Sequence, residues 1–201
     1  MHAMTRIPAV AVAVLVAAGC SAERIVNTGE PPVQSGAPTA APPPSAPADN
    51  AHLVNAFDYV AHVDDRAVYY FTTPSGKWRC AIVPRDKAGC QAASSWQSGL
   101  NLPDEPATVA DPAGEDTTPN AITIDREGDP QFVAMDRPEF WLDTGSATVL
   151  PFDRILAAAG FRCNVQEIGV SCMSELSGKG FTFSAESGMS PQYTSVPVDA
   201  P

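Results

Sequence analysis

Ala67–Thr72 (AVYYFT) and Trp78–Val83 (WRCAIV) decide the fold. Both runs are dense in β-branched and aromatic residues, and Pro74-Ser75-Gly76 between them is turn material. Together they predict an antiparallel hairpin. Asp86–Gly89 then returns the chain toward Cys90. The same pattern of short apolar runs and turn residues predicts strands at 121–125, 131–135, 140–142, 161–165, 170–173 and 181–184. Residues 101–120 hold Pro, Asp, Glu and Gly with little apolar pattern and read as a long surface loop. Ahead of the first strand, Leu53, Val54, Phe57, Val60 and Ala61 recur at helical spacing behind Asp49 and Asn50, two good N-caps. A short amphipathic helix over 51–62 is expected. The fold class is therefore mainly β: a small, disulfide-stapled antiparallel domain over 51–201, opened by a short helix.

The chain holds five cysteines. Cys80, Cys90, Cys163 and Cys172 lie in the β-rich part and permit three pairings. Cys80–Cys90 and Cys163–Cys172 are the favoured pairs, because each brackets an expected hairpin. The competing reading is a tetrathiolate zinc site. Nine and eight residues separate the cysteines of each pair, far from the two to four that zinc sites use. The two hairpins also echo each other. Trp78-Arg79-Cys80-Ala81-Ile82 parallels Phe161-Arg162-Cys163-Asn164-Val165, and a glycine, Gly89 or Gly169, precedes each second cysteine. Two readings fit: a duplicated hairpin with an aromatic anchor, or a coincidence between two short copies.

The fifth cysteine sits elsewhere. Arg6 precedes an apolar run from Ile7 to Ala18 that ends in Ala17-Ala18-Gly19-Cys20. The run is too short to span a bilayer and matches the apolar region of a secretory signal. Small residues before a cysteine are what a lipoprotein signal peptidase accepts, and the thiol is the nucleophile that takes diacylglycerol. Residues 1–19 are thus expected to be a signal peptide resembling the bacterial lipobox, with Cys20 the lipidated first residue of the mature protein. Ala17 departs from the more usual Leu. Two or three acyl chains, at about 0.8 kcal/mol per buried CH₂, anchor stably where one does not. Lipidation of Cys20 also leaves an even number of cysteines to pair. Residues 20–50 read as a tether. Seven prolines fall between Pro31 and Pro47 among Ala, Ser, Gly and Thr, too little apolar bulk to offset ordering. In polyproline II such a segment reaches about 90 Å. The expected location is the extracytoplasmic face of the cell membrane.

Charge narrows the partners. Twelve basic against 23 acidic residues give −11. Removing residues 1–19 takes away Arg6 and no acid, leaving 11 − 23 = −12. A chain this acidic is not built to displace counterions from nucleic acid or to grip anionic lipid by charge. Three motifs invite chemistry. Asp143-Thr144-Gly145-Ser146 after an apolar stretch resembles the loop of pepsin-like proteases, whose chemistry needs two carboxylates sharing a proton. One copy would require a homodimer, and a polar β-turn is the plainer reading. Asp125, Glu127 and Asp129, with Asp111, Glu115 and Asp116, could offer oxygens to calcium, but they do not complete an EF-hand. Lys77, Arg79, Arg162 and Lys179 flank the cysteine blocks in both halves and could form an anion-binding face. Histidine occurs only at His2, His52 and His62, the last two on the exposed face of the expected helix. No G-x-S-x-G elbow is present, and no cofactor motif stands out.

Larger blocks carry a resemblance. Thr73-Pro74-Ser75-Gly76 with Cys80, Val149-Leu150-Pro151-Phe152, Phe161-Arg162-Cys163 followed by Gly169-Val170-Ser171-Cys172, and Gly178-Lys179-Gly180-Phe181 with Ser184 resemble a family of actinobacterial secreted and lipid-anchored domains of unknown function. The resemblance covers about residues 68–187, and its distal block is the more specific. The family often has His between the two glycines, where this chain has Lys179, so any role for that imidazole is absent here. The resemblance implies an envelope location and paired cysteines, and it implies no reaction. The leading expectation is a non-catalytic module that binds an envelope protein or glycan. The alternatives are a lipid or small-ligand carrier, and a dimeric aspartic-type protease using Asp143.

Overall fold

The computed structural model describes residues 50–142 and 145–201, which belong to one unit, Ala46–Pro201. Residues 1–19, the expected signal peptide, Cys20 and nearly all of the expected tether lie outside the described residues, as do Asp143 and Thr144. Strands dominate. In chain order they are β1 (Val60–Val63), β2 (Arg66–Thr72), β3 (Trp78–Val83), β4 (Lys87–Ala92), β5 (Val109–Ala110), β6 (Asp116–Thr117), β7 (Ala121–Asp125) and β8 (Gln131–Val133). Then come β9 (Thr148–Val149), β10 (Arg154–Ala158), β11 (Phe161–Gln166), β12 (Gly169–Ser174), β13 (Gly180–Ser184) and β14 (Gly188–Ser190).

The first sheet runs β1-β2-β3-β4-β7-β8, with β9 parallel to β2. The second runs β10-β11-β12-β13-β14, every neighbour antiparallel. β5 and β6 form a small separate hairpin inside the expected long loop. The alternation of side chains turns one face of each sheet inward. Phe71, Ile82, Ile122 and Leu156, Phe161, Phe181 meet in a single core to which both sheets contribute. Trp78 packs edge-on against Phe183, ring centroids 4.7 Å apart, as the aromatic link between the sheets.

Both favoured disulfides are present, Cys80–Cys90 and Cys163–Cys172. In each hairpin the two cysteines are directly opposed partners, with Cα atoms 4.1 Å apart. That is the close kind of antiparallel pair. All four are fully buried in the core between the sheets. All four thiols are thereby used, which replaces the zinc reading.

Two expectations are corrected. The helix over 51–62 shrinks to one 3-10 turn, Ala56–Asp58, capped by Asn55, whose side chain accepts the Phe57 N–H. The segments on either side have extended partners instead. Leu53 bridges to Ile155, the Val54 N–H donates to the Ile155 carbonyl, and 60–63 pair with β2. Sheet edges outcompeted a helical spacing made partly of β-branched residues. The strand expected at 140–142 is a turn, in which the Trp141 N–H donates to the Pro138 carbonyl. The Phe140 ring drops onto Gly89, where a Cβ would come within 2.6 Å of it. β10 and β14 were not anticipated. Arg154–Ala158 is short and alanine-rich, a weak β signal on its own.

Candidate functional site

Four blocks far apart in sequence meet at one end of the sandwich. β9 lies parallel along the end of β2, and the Leu150 N–H donates to the Thr72 carbonyl. Three residues on, the Asp153 N–H donates to Val165 of the second sheet. Val149–Phe152 therefore crosses from one sheet to the other and sets Phe152 beside the Thr73–Gly76 turn. That turn is closed by its own hydroxyls. Thr73 Oγ1 accepts the Trp78 N–H and lies 3.1 Å from Ser75 Oγ. From the second sheet come the β11–β12 turn and the β13–β14 turn. Gly169 is required at the first of these. Its φ is +144°, and a Cβ there would collide with the Phe183 carbonyl.

The result is a groove of about 260 Å³. Trp78, Val170 and Phe183 line it from the core side, Thr73, Lys77 and Glu186 are polar lining, and Phe152 and Ile168 stand by it 44% and 59% exposed. An aromatic floor under a mixed polar rim is the anatomy of a recognition site. Every block of the resemblance except Gly178–Phe181 contributes lining here. The sequence marks these blocks individually but not their convergence into a groove. Their spacing around turns was the available signal.

The outer face of the first sheet carries a second relief. Residues 134–142 cross it, tied at one end by Asn120, whose side chain both donates to and accepts from the backbone of Met135 at 2.8 Å. One flank is a groove of about 400 Å³ lined by Asp86, Asp111, Asp125, Asp136 and Glu139, with Lys87 among them. Lys87 pairs with Glu139 at 2.9 Å. The other flank, about 340 Å³, is lined by Tyr70, Val83 and Trp141 beneath Arg66 and Arg137.

The residues singled out for chemistry are dispersed. Asp125 accepts the N–H groups of Glu127 and Gly128, and Asp111 those of Ala113 and Glu115. These carboxylates cap their own loops. Asp129 pairs with Lys179 at 2.9 Å. Among the described residues no group of three His, Cys, Asp or Glu is placed to hold a metal ion. The four cations do not form one face. Arg162 pairs with Glu175, Lys179 with Asp129, Lys77 borders the end groove, and Arg79 stacks on Trp141 with its guanidinium carbon 4.0 Å from the ring centroid. His62 is exposed on β1, as expected of its side chain, but His52 is buried. Its Nδ1 lies 3.2 Å from Arg154 Nη1 and its Nε2 3.5 Å from the Val198 carbonyl. Two tyrosines are shifted. Burial raises the pKa of Tyr193, and burial with the neighbouring Asp58 raises that of Tyr59.

No protein-family model matches this chain, and neither a curated protein nor a solved structure does.

Proposed function

We propose that this protein is a lipoprotein held at the extracytoplasmic face of the cell membrane through Cys20, and that its β domain is a non-catalytic module binding an envelope protein or glycan. The end groove carries the binding part of this reading. Turns from both sheets converge there on an aromatic floor, and two large apolar side chains, Phe152 and Ile168, stand exposed at it. The two buried cystines support an oxidising compartment. The Arg6 to Cys20 pattern supports the lipid anchor, and the proline-rich tether supplies reach.

Two variants of the full-length protein test the reading. Cys20→Ser should stop incorporation of labelled palmitate and release the protein from the membrane fraction. Continued labelling would remove the anchor from the proposal. Phe152→Asp with Ile168→Asp changes only exposed side chains. It should abolish retention of a discrete partner that the wild type captures from solubilised envelope, while the melting transition stays put. Equal capture by both would remove the end groove.

A further inference from the structure

The groove of about 400 Å³ on the outer face of the first sheet holds more negative charge than it neutralises. Among the described residues that line it, Lys87 is the one base, and Glu139 engages it at 2.9 Å. Asp111, Asp125 and Asp136 line the same groove, and among the described residues none of them has a cationic partner. Asp111 and Asp125 each use one oxygen, Oδ1, to cap their own loop. The floor carries a second, independent feature. Along β7, Ile122 and Ile124 turn into the core, so Thr123 between them faces outward and lines the groove. Thr123 is 5% exposed, and its hydroxyl has no hydrogen-bond partner among the described residues. That hydroxyl is within reach of solvent. The unpartnered side-chain atoms that are sealed off are Gln91 Nε2 and Trp141 Nε1. An unmatched hydroxyl at the bottom of a groove is satisfied by whatever enters it. Asp111 and Asp136 also line an adjoining hollow of about 360 Å³ whose wall includes Trp96. The two carboxylates therefore stand at a junction, with Thr123 on one side and Trp96 on the other.

We propose that this groove binds the primary ammonium group of an organic ligand. An ammonium has three N–H donors and no acceptor, so it suits two carboxylates and a hydroxyl oxygen. Asp111 and Asp136 supply the counter-charge, and the Thr123 hydroxyl accepts an N–H. Trp96 offers an indole to the ligand's alkyl chain and a π face to its charge. A metal ion is a poorer match, because no three of the described acidic groups gather around one point. An ammonium needs no such shell. The volume suits a small organic ligand, and the chain's net charge of −11 draws cations toward it. The carboxylates at the junction are open to water and screened by it, so the affinity is expected in the millimolar range. The site shares no residue with the end groove, and it stands or falls separately from the function proposed above.

The test is a titration of the full-length protein with pentylammonium chloride at constant ionic strength, followed by NMR of the Trp96 indole N–H and the Thr123 methyl group. Both signals should move saturably, and 1-pentanol, the neutral analogue, should move neither. Two further amines separate the sources. Tighter binding of N-acetyl-lysine amide than of cadaverine identifies the side chain of a peptide, and the reverse identifies a free amine. Asp136→Asn removes a charge that has no partner in the fold, and Thr123→Val removes the hydroxyl at constant shape. Each should weaken pentylammonium by about fivefold, the scale of one exposed ion pair or one hydrogen bond, while the melting transition holds. For Thr123→Val the readout is the Trp96 signal. Asp65→Asn takes the same charge from the β1–β2 turn and should change nothing. The proposal is overturned if neither signal saturates up to about 100 mM pentylammonium, a range that spans any millimolar Kd. It is equally overturned if 1-pentanol binds as well, if Asp65→Asn weakens binding as much as Asp136→Asn, or if Asp136→Asn and Thr123→Val leave the curves unaltered.

Discussion

The β3–β4 and β11–β12 hairpins are the same object on their inner faces and different objects on their outer faces. Inward, Trp78, Cys80 and Ile82 match Phe161, Cys163 and Val165, with Cys90 and Cys172 opposite. Outward, Ala81 and Gly89 stand where the second hairpin has Asn164 and Ser171. The small pair makes a hollow for Phe140, so an apolar loop covers the first sheet. The polar pair ties down the C-terminal segment. Asn164 donates to the Tyr193 hydroxyl and the Thr194 carbonyl, and Gln166 to Asn164 and Thr194. Ser171 meets Thr182, which also bonds Gln192 and Thr194. Core positions answer to one shared constraint, the other sheet. Outer positions answer to whatever covers them, and there the two hairpins part.

Removing each cover at its centre should break the comparison most visibly. Phe140→Ala deletes a side chain that is 1% exposed and should cost about 3–5 kcal/mol, read as a fall in urea midpoint at constant slope. The cystines should behave alike instead. Their sequence separations of 10 and 9 give nearly equal loop-closure contributions of about 2.6 kcal/mol each. Replacing either pair by alanine should therefore lower stability by similar amounts. A large inequality would show that one hairpin is held mainly by its cover. Asn164→Ala should cost about 2 kcal/mol, since it removes the donor to the Tyr193 hydroxyl, one of two donors to the Thr194 carbonyl and one of the acceptors of the Gln166 amide. The same register layer gives the sharpest contrast. Gly89→Ala adds a methyl against both the Ile122 backbone carbonyl and the Phe140 ring and should cost about 1–3 kcal/mol or more by overpacking. Ser171→Ala removes one 2.7 Å hydrogen bond and should cost about 1 kcal/mol.

Much of the inner layer was legible in the sequence, because period-two alternation and cysteine spacing are local. Both hairpins, both pairings and the echo between them could be read from about ten residues each. The covers could not. Phe140 seeks a hollow made by Gly89, 51 residues earlier, and the apolar run around it looks like another strand. Val54 and Val60 have helical spacing, yet their backbones are claimed by strands that come later or by a hairpin partner. The end groove was half legible. Its blocks stood out, but their convergence depends on β9 running parallel beside β2 for two residues, a pairing with no sequence signal of its own.

The smallest effect tests whether the polar cover is held as a unit. Tyr193 accepts from Asn164 at 2.9 Å, and burial raises its pKa above that of a free tyrosine. A group of this kind favours the folded state in its neutral form. Its contribution is full below the unfolded value near 10 and is lost as pH climbs from there through the higher folded value. The wild type should therefore lose stability as the pH rises above about 10. Tyr193→Phe should cost about 1 kcal/mol at neutral pH, one hydrogen bond, and should flatten part of that alkaline decline. The part that remains belongs to Tyr59, whose hydroxyl donates to Val149 at 3.3 Å and whose pKa is raised too. Thermal melts of the wild type, Tyr193→Phe and Tyr59→Phe across that range separate the two. If Tyr193→Phe keeps the full decline, the C-terminal segment is anchored without its tyrosine, and Asn164 holds it through the Thr194 carbonyl.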